Sequence, residues 1–176
     1  MAEDVWILGI HMTKFGKHPD EDTIDLAAEA AMAALKDAGV TMADIGVLAA
    51  GNLMNASAGI GQQLQKQIGQ TGIPVYNVAN ACATGATALR TAIMSVKAGE
   101  SDYGLAVGVE KLAGAGLLGA GGAGKKDGDA WEPKGRYGAV APIDGRIGTE
   151  TMPGVFAQIG MEYGHKYGGT SFELFA

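Results

Sequence analysis

The sequence has a single cysteine, Cys82, among 176 residues. That excludes an internal disulfide framework and any cysteine-cluster metal centre. Basic charge is also scarce: 13 Lys and Arg face 19 Asp and Glu, for a formal charge of -6. Nucleic acid and anionic membranes both reward a basic stripe, so neither is expected as a partner. No apolar run approaches the roughly 18 residues that suggest a membrane span. The opening residues Met1-Ala2-Glu3-Asp4 are acidic where a secretory signal is basic, so a cytoplasmic protein is expected. His11, His18 and His165 are too widely spaced to suggest a metal site, and none is expected.

What is present points to a globular chain. Hydrophobic residues make up 47%, many of them Ala, beside 29 Gly and only 6% aromatics. Such a composition predicts close packing of small-faced helices and strands in one domain with a substantial core. Residues 5–11 (Val-Trp-Ile-Leu-Gly-Ile-His) read as a short buried strand. Asp20 to Thr23 supply N-cap candidates, and Ala27, Ala31, Ala34, Leu35 and Ala38 form a one-face stripe ending at Gly39. Strands are then expected over 45–51, 75–79 and 103–110, with helices over 60–68 and 82–98, the latter stopped by Gly99. Strand–helix alternation of this kind predicts a layered α/β fold with parallel pairing.

The alternation breaks at residue 113. Residues 113–150 are Gly-rich and carry Lys125, Lys126, Lys134 and Arg136, a functional insertion or loop by length alone. Gly114, Gly116 and Gly119 match a dinucleotide-binding spacing, but no helix opens at the third glycine to meet a pyrophosphate. Gly119, Gly124 and Lys125 imitate a phosphate loop, yet Lys126 stands where a magnesium-binding hydroxyl belongs. Neither nucleotide reading holds. A helix is expected over 153–167, where His165 suits the helix end, and another begins near Ser171.

The chemistry-bearing segment is Val75-Tyr76-Asn77-Val78-Ala79-Asn80-Ala81-Cys82-Ala83-Thr84-Gly85-Ala86. A lone cysteine is ordinarily a small buried hydrophobe. This one sits where a strand feeds a helix, and a helix N-terminus stabilises a thiolate through its free N–H groups. The same donors can receive an oxyanion formed when the sulfur attacks a thioester carbonyl. The tiny residues Ala83, Gly85 and Ala86 leave room for substrate. Cys82 is therefore the candidate nucleophile.

Asn80-Ala81-Cys82-Ala83-Thr84-Gly85 resembles the nucleophile motif of thiolases, in the sterol-carrier-protein-type branch. Val109-Glu110-Lys111-Leu112, residues 151–156, residues 162–168 and residues 9–16 are similar to that branch as well. The resemblance implies a thiolase fold, five α/β/α/β/α layers built from two similar halves. Residues 1–112 would be the first core half, 113–150 a loop domain covering coenzyme A, and 151–176 a helix returning to the core. The histidine and second cysteine that thiolases use would lie in a second half absent here, so the chain reads as part of a longer enzyme. The implied activity is acyl transfer between coenzyme A thioesters through an acyl-cysteine, in branched-chain, fatty-acid or steroid side-chain breakdown. No bound cofactor is implied, coenzyme A thioester being substrate. The backbone N–H of Cys82 would belong to an oxyanion hole. Met152, Gly85, Asn80, Lys125, Lys126, Lys134 and Arg136 are candidate substrate contacts. A homodimer paired through 75–79 is expected. Two alternatives stay open: a retro-aldolase on the same fold with a small OB-fold partner protein, and a non-catalytic acyl-CoA or lipid-binding module.

Overall fold

A computed structural model describes residues 4–54, 58–112, 152–169 and 171–175. The chain divides into two compact units, Met1–Lys111 and Leu112–Ala176. The first unit holds, in order, α1 (Thr23–Ala38), β1 (Val47–Gly51), α2 (Ile60–Ile68), β2 (Val75–Val78), α3 (Thr84–Lys97) and β3 (Gly104–Gly108). The second unit holds α4 (Met152–Tyr167) and α5 (Phe172–Phe175). Among the described residues no helix is long and apolar enough to cross a membrane.

Helix α1 begins where its sequence supplies a reciprocal cap. The Asp22 carboxylate accepts from the backbone N–H groups of Ile24 and Asp25 at 2.7 and 2.8 Å, while Asp25 accepts from Asp22 N–H at 2.9 Å. These bonds satisfy donors that a helix start leaves without intrahelical partners. The Asp25 carboxyl is held below the usual carboxylate range by the Asp22 N–H, with Gln67 contributing a second bond. The helix stops at Gly39, whose φ of 70° places it in the left-handed region that favours glycine.

The sheet is parallel, in the order β2-β1-β3. Central β1 is buried along its whole length. Its pleat sends Leu48 to one face, where Leu105, Val107 and Leu64 join the α1 stripe of Ala27, Ala28, Ala31 and Leu35. Ala49 faces the other way, against Ala88 and Ala92 of α3. One face is thus filled by branched side chains and the other by alanines, so α3 lies close against the strands. Helices cover both faces, as a parallel sheet requires.

The N-terminal segment differs from expectation. Residues 5–11 form no strand, and Trp6 is 78% exposed. The segment is drawn instead onto α1: Ile10 N–H donates to the Asp37 carboxylate at 2.9 Å, and a Cβ on Gly9 would collide with the Ala34 carbonyl. This segment, α1, α3 and β3 together line a groove. An apolar run alone does not distinguish a paired strand from an extended segment resting on a helix.

The loop before α1 is closed by His18, whose ring nitrogens meet the Glu21 carboxylate at 2.6 Å and the Lys14 carbonyl at 2.8 Å. Bonding to Glu21, then to Lys14, raises the His18 pKa above its usual value. In the second unit, α4 ends with His165 and Lys166 in its last turn, and Gly168 at φ 70° returns its N–H to the Gly164 carbonyl at 2.9 Å. The Lys166 ammonium suits the negative end of the helix dipole.

Two tests follow from these caps. Asp22→Ala removes two side-chain bonds at the head of α1 and is expected to lower stability by about 1 kcal/mol in urea unfolding. Because the His18 pKa is raised in the folded state, its bond with Glu21 supports the fold fully below the unfolded value and is lost as pH rises through the folded one. NMR titration is expected to place the His18 midpoint above that of a free imidazole. Glu21→Gln should bring it down, and an unmoved midpoint would refute the pairing.

Candidate active site

The C-terminal ends of all three strands lie at one edge of the sheet, where ligands bind in open α/β folds. Asn52, only 2% exposed, ties this edge together. Its N–H donates to the Val78 carbonyl at 3.2 Å, and its side-chain amide donates to the Val109 carbonyl at 2.9 Å. The Glu110 carboxylate then gathers the chain leaving β1, accepting from Asn52 Nδ2 and from the N–H groups of Leu53 and Met54 at 3.2, 2.9 and 3.2 Å. Glu110 thus fixes the loop after β1, a role its motif alone does not reveal.

From β2 the chain turns sharply into α3. Ala81 in this turn has φ 45°, the only non-glycine residue with positive φ among those described. Such a conformation costs an L-residue on the order of 1–3 kcal/mol and persists only where neighbours over-determine it. Here they do. Ala83 N–H donates to the Asn80 carbonyl at 2.9 Å, and Thr84 N–H to the Ala81 carbonyl at 3.2 Å. The Thr84 hydroxyl accepts from Asn80 N–H and donates to the Ala81 carbonyl, both at 2.7 Å. The Asn80 side-chain amide donates to Thr87 Oγ1 at 3.0 Å, and that hydroxyl donates to the Ala83 carbonyl at 3.0 Å.

Cys82 sits at the apex, exposed and free. Sequence reasoning starts the helix at residue 82, but α3 begins at Thr84, leaving Cys82 two residues ahead of it. The difference arises because the hydroxyls of Thr84 and Thr87 draw the preceding backbone into a turn, the local competition such side chains offer a helix. Ala83 at the N-cap makes no side-chain cap bond, so the first turn of α3 keeps backbone donors beside the thiol.

The turn reaches this close to the sheet because two strand ends lack side chains. A Cβ on Gly51 would stand 2.9 Å from Thr84 Cγ2 and 3.0 Å from the Thr84 carbonyl oxygen. A Cβ on Gly108 would stand 3.0 Å from Gly85 Cα. Gly51 and Gly108 are register partners in β1 and β3, so they form one seat for the first turn of α3.

The structure therefore brings Cys82, Asn80 and Gly85 together. Met152 opens α4 in the second unit, and nothing of its side chain is described. Lys125, Lys126, Lys134 and Arg136 lie outside the described residues, as do the nucleotide-like glycine spacings. Among the described residues no group of His, Cys, Asp or Glu could hold a metal ion. Residues that sequence reasoning left unassigned are Thr84, Thr87 and the glycine pair. A signal existed: two threonines follow Asn80 at spacings of four and seven, on one face of the helix start.

The site is thus a parallel α/β unit that carries an exposed thiol on a strained strand–helix elbow. Comparison with known proteins gives its family. The family model for the thiolase N-terminal domain matches residues 5–121. Sterol carrier protein 2 of Gallus gallus is 37% identical over 188 aligned positions, covering 100% of this chain and 31% of that protein. An acetyl-CoA acetyltransferase of Methanothermobacter thermautotrophicus is 40% identical over 114 positions, covering 62% of this chain and 30% of that protein. A crystal structure of a Xanthomonas campestris OleA variant gives a TM-score of 0.49 at 25% identity, over 57% of this chain and 30% of that one. The chain belongs to the thiolase family, in its sterol-carrier-protein-type branch, and it spans about a third of the length of these curated relatives.

The glycine seat is testable. Gly51→Ala forces its methyl into Thr84 and is expected to cost about 1–3 kcal/mol, as overpacking does. Denaturant unfolding measures the loss. Wild-type stability in this variant would mean that the first turn of α3 is not held against β1.

Proposed function

We infer that Cys82 is the nucleophile of an acyl-CoA thiolase, with coenzyme A thioesters as substrates. The observation that carries this reading is the exposed thiol on a strained elbow at the head of α3, in a chain of the thiolase family. The acetyl-CoA acetyltransferase among its relatives supports acetyl-CoA as one partner in the exchange.

In the degradative direction the Cys82 sulfur, as thiolate, attacks the 3-keto carbon of a 3-oxoacyl-CoA. The negative charge passes to the former carbonyl oxygen. The Cys82 N–H is the elbow donor assigned to receive that charge, and a donor held there in advance would do so without reorganising. Collapse of the tetrahedral species restores the carbonyl and breaks the bond between carbons 2 and 3. The electron pair leaves on carbon 2 as an acetyl- or propionyl-CoA enolate, which takes up a proton. The acyl group remains on sulfur until the thiol of incoming coenzyme A attacks, regenerating Cys82 and releasing a shortened acyl-CoA. The general base for Cys82 and the acid that protonates the enolate are assigned to parts of the enzyme outside this sequence.

Asn80 and Gly85 shape the approach to the sulfur, Gly85 by presenting no side chain. Met152 is assigned to the acyl pocket. Lys125, Lys126, Lys134 and Arg136 are assigned to the phosphates of coenzyme A, which guanidinium and ammonium groups bind readily. Pairing of two copies through β2 fits its place at the edge of the sheet, where an unsatisfied backbone row is available to another strand. Breakdown of branched or steroid side chains is the metabolic setting proposed, and the cytoplasm the compartment.

Mass spectrometry of the full-length protein incubated with acetyl-CoA is expected to find the acetyl group on the Cys82 peptide. Cys82→Ala should abolish both adduct and turnover; turnover unchanged in that variant would refute covalent catalysis at this residue. Light scattering is expected to give the mass of a dimer, and a monomer would refute pairing through β2.

A further inference from the structure

We propose that Thr84 is a positioning residue whose hydroxyl aims the backbone N–H of Cys82; this deepens, and rests on, the reading of Cys82 as nucleophile. A hydroxyl carries one donor and two acceptor sites. At Thr84 the donor goes to the Ala81 carbonyl and an acceptor site takes the Asn80 N–H, each at 2.7 Å. The two bonds bracket the strained residue Ala81 from both sides.

Their consequence for Cys82 follows from peptide geometry. The Ala81 carbonyl and the Cys82 N–H belong to one planar trans unit, so they point in opposite directions. Fixing the carbonyl therefore fixes the N–H. The Ala81 carbonyl is held twice by the same residue, by the Thr84 hydroxyl and by the Thr84 N–H at 3.2 Å. The Cys82 N–H is consequently directed away from Thr84, on the side of the peptide opposite the held carbonyl. Freeing Ala81 to leave φ 45° would rotate this peptide plane and swing both the N–H and the sulfur.

Thr84 is itself well held. It is 7% exposed, and its methyl group lies where a Cβ on Gly51 would be 2.9 Å away, so packing restricts its rotation. The Asn80–Thr87–Ala83 chain of bonds braces the same turn a second time. Thr84 touches no reacting atom in this scheme and acts only through the Ala81–Cys82 peptide.

The test compares Thr84→Val, which keeps the shape and removes the hydroxyl, with Thr84→Ser, which keeps the hydroxyl, in the full-length protein. Misaiming a charge-stabilising donor lowers the rate of acyl transfer more than ground-state binding. Thr84→Val is therefore expected to slow acetyl transfer to Cys82 by roughly tenfold to a hundredfold, with KM for acetyl-CoA within about twofold and Thr84→Ser within about threefold of the parent. Transfer at the parental rate in Thr84→Val overturns the proposal, as does a Thr84→Ser variant equally slow. Hydrogen exchange at the Asn80 amide is expected to accelerate in Thr84→Val and not in Thr84→Ser; unchanged protection also overturns it. If Thr84→Val fails to fold, Thr84→Ala replaces it, since a smaller side chain adds no contact beneath Gly51. A parent protein that never acquires acetyl on Cys82 refutes the nucleophile reading instead. Asn80 exchange and the rate of Cys82 alkylation by iodoacetamide then still decide whether the clasp exists, equal values in Val and Ser variants overturning it.

Discussion

The approach of α3 to the sheet depends on two missing side chains. Gly51 and Gly108 stand opposite each other at the ends of β1 and β3, and the first turn of α3 fills the space their Cβ atoms would occupy. Close seating of this kind lets β2 pass into α3 without a long loop. It also forces the reversal to be tight, and the tightness falls on Ala81 at φ 45°. Strain at that residue, the clasp around it and the exposure of Cys82 all follow from the same constraint.

The alanine-lined face of the sheet extends this logic along the helix. Ala49, Ala88 and Ala92 keep α3 near the strands over its length, whereas the opposite face uses Leu48, Leu64, Leu105 and Val107 to form the larger core. The large-residue face supplies most of the apolar burial. The small-residue face determines where the thiol sits. Asn52 and Glu110 complete the arrangement by fastening the exits of β1 and β3 to each other, so the edge around Cys82 is anchored by polar bonds as well as packing.

Much of this was legible in the residues, for physical reasons. Helix α2 agrees with its expected span over 60–68, and α1 follows from the Asp22 cap, the alanine stripe and Gly39, each a local signal. The strands come out shorter than expected: β1 starts at Val47 and reaches its expected end at Gly51, β2 stops at Val78, and β3 runs only from Gly104 to Gly108, where its last residue meets Gly85. Residues 5–11 were misread as a strand: their backbone bonding goes partly to the Asp37 carboxylate, a partner no local pattern reveals. The strand–helix junction that carries Cys82 was legible because a strand, a thiol and small residues are adjacent in sequence. The glycine seat was not, since it lies in contacts of Gly51 with Thr84 and of Gly108 with Gly85, residues far apart in the chain.

The central claim is that the elbow presents Cys82 as an acyl carrier during turnover, which is stronger than saying that the thiol can be acylated. Rapid-quench mass spectrometry of the full-length enzyme with a 3-oxoacyl-CoA measures how fast acyl-Cys82 appears and disappears relative to steady-state turnover. The account predicts that the adduct forms and decays at least as fast as kcat. An acyl-Cys82 that forms or decays more slowly than product accumulates would contradict it.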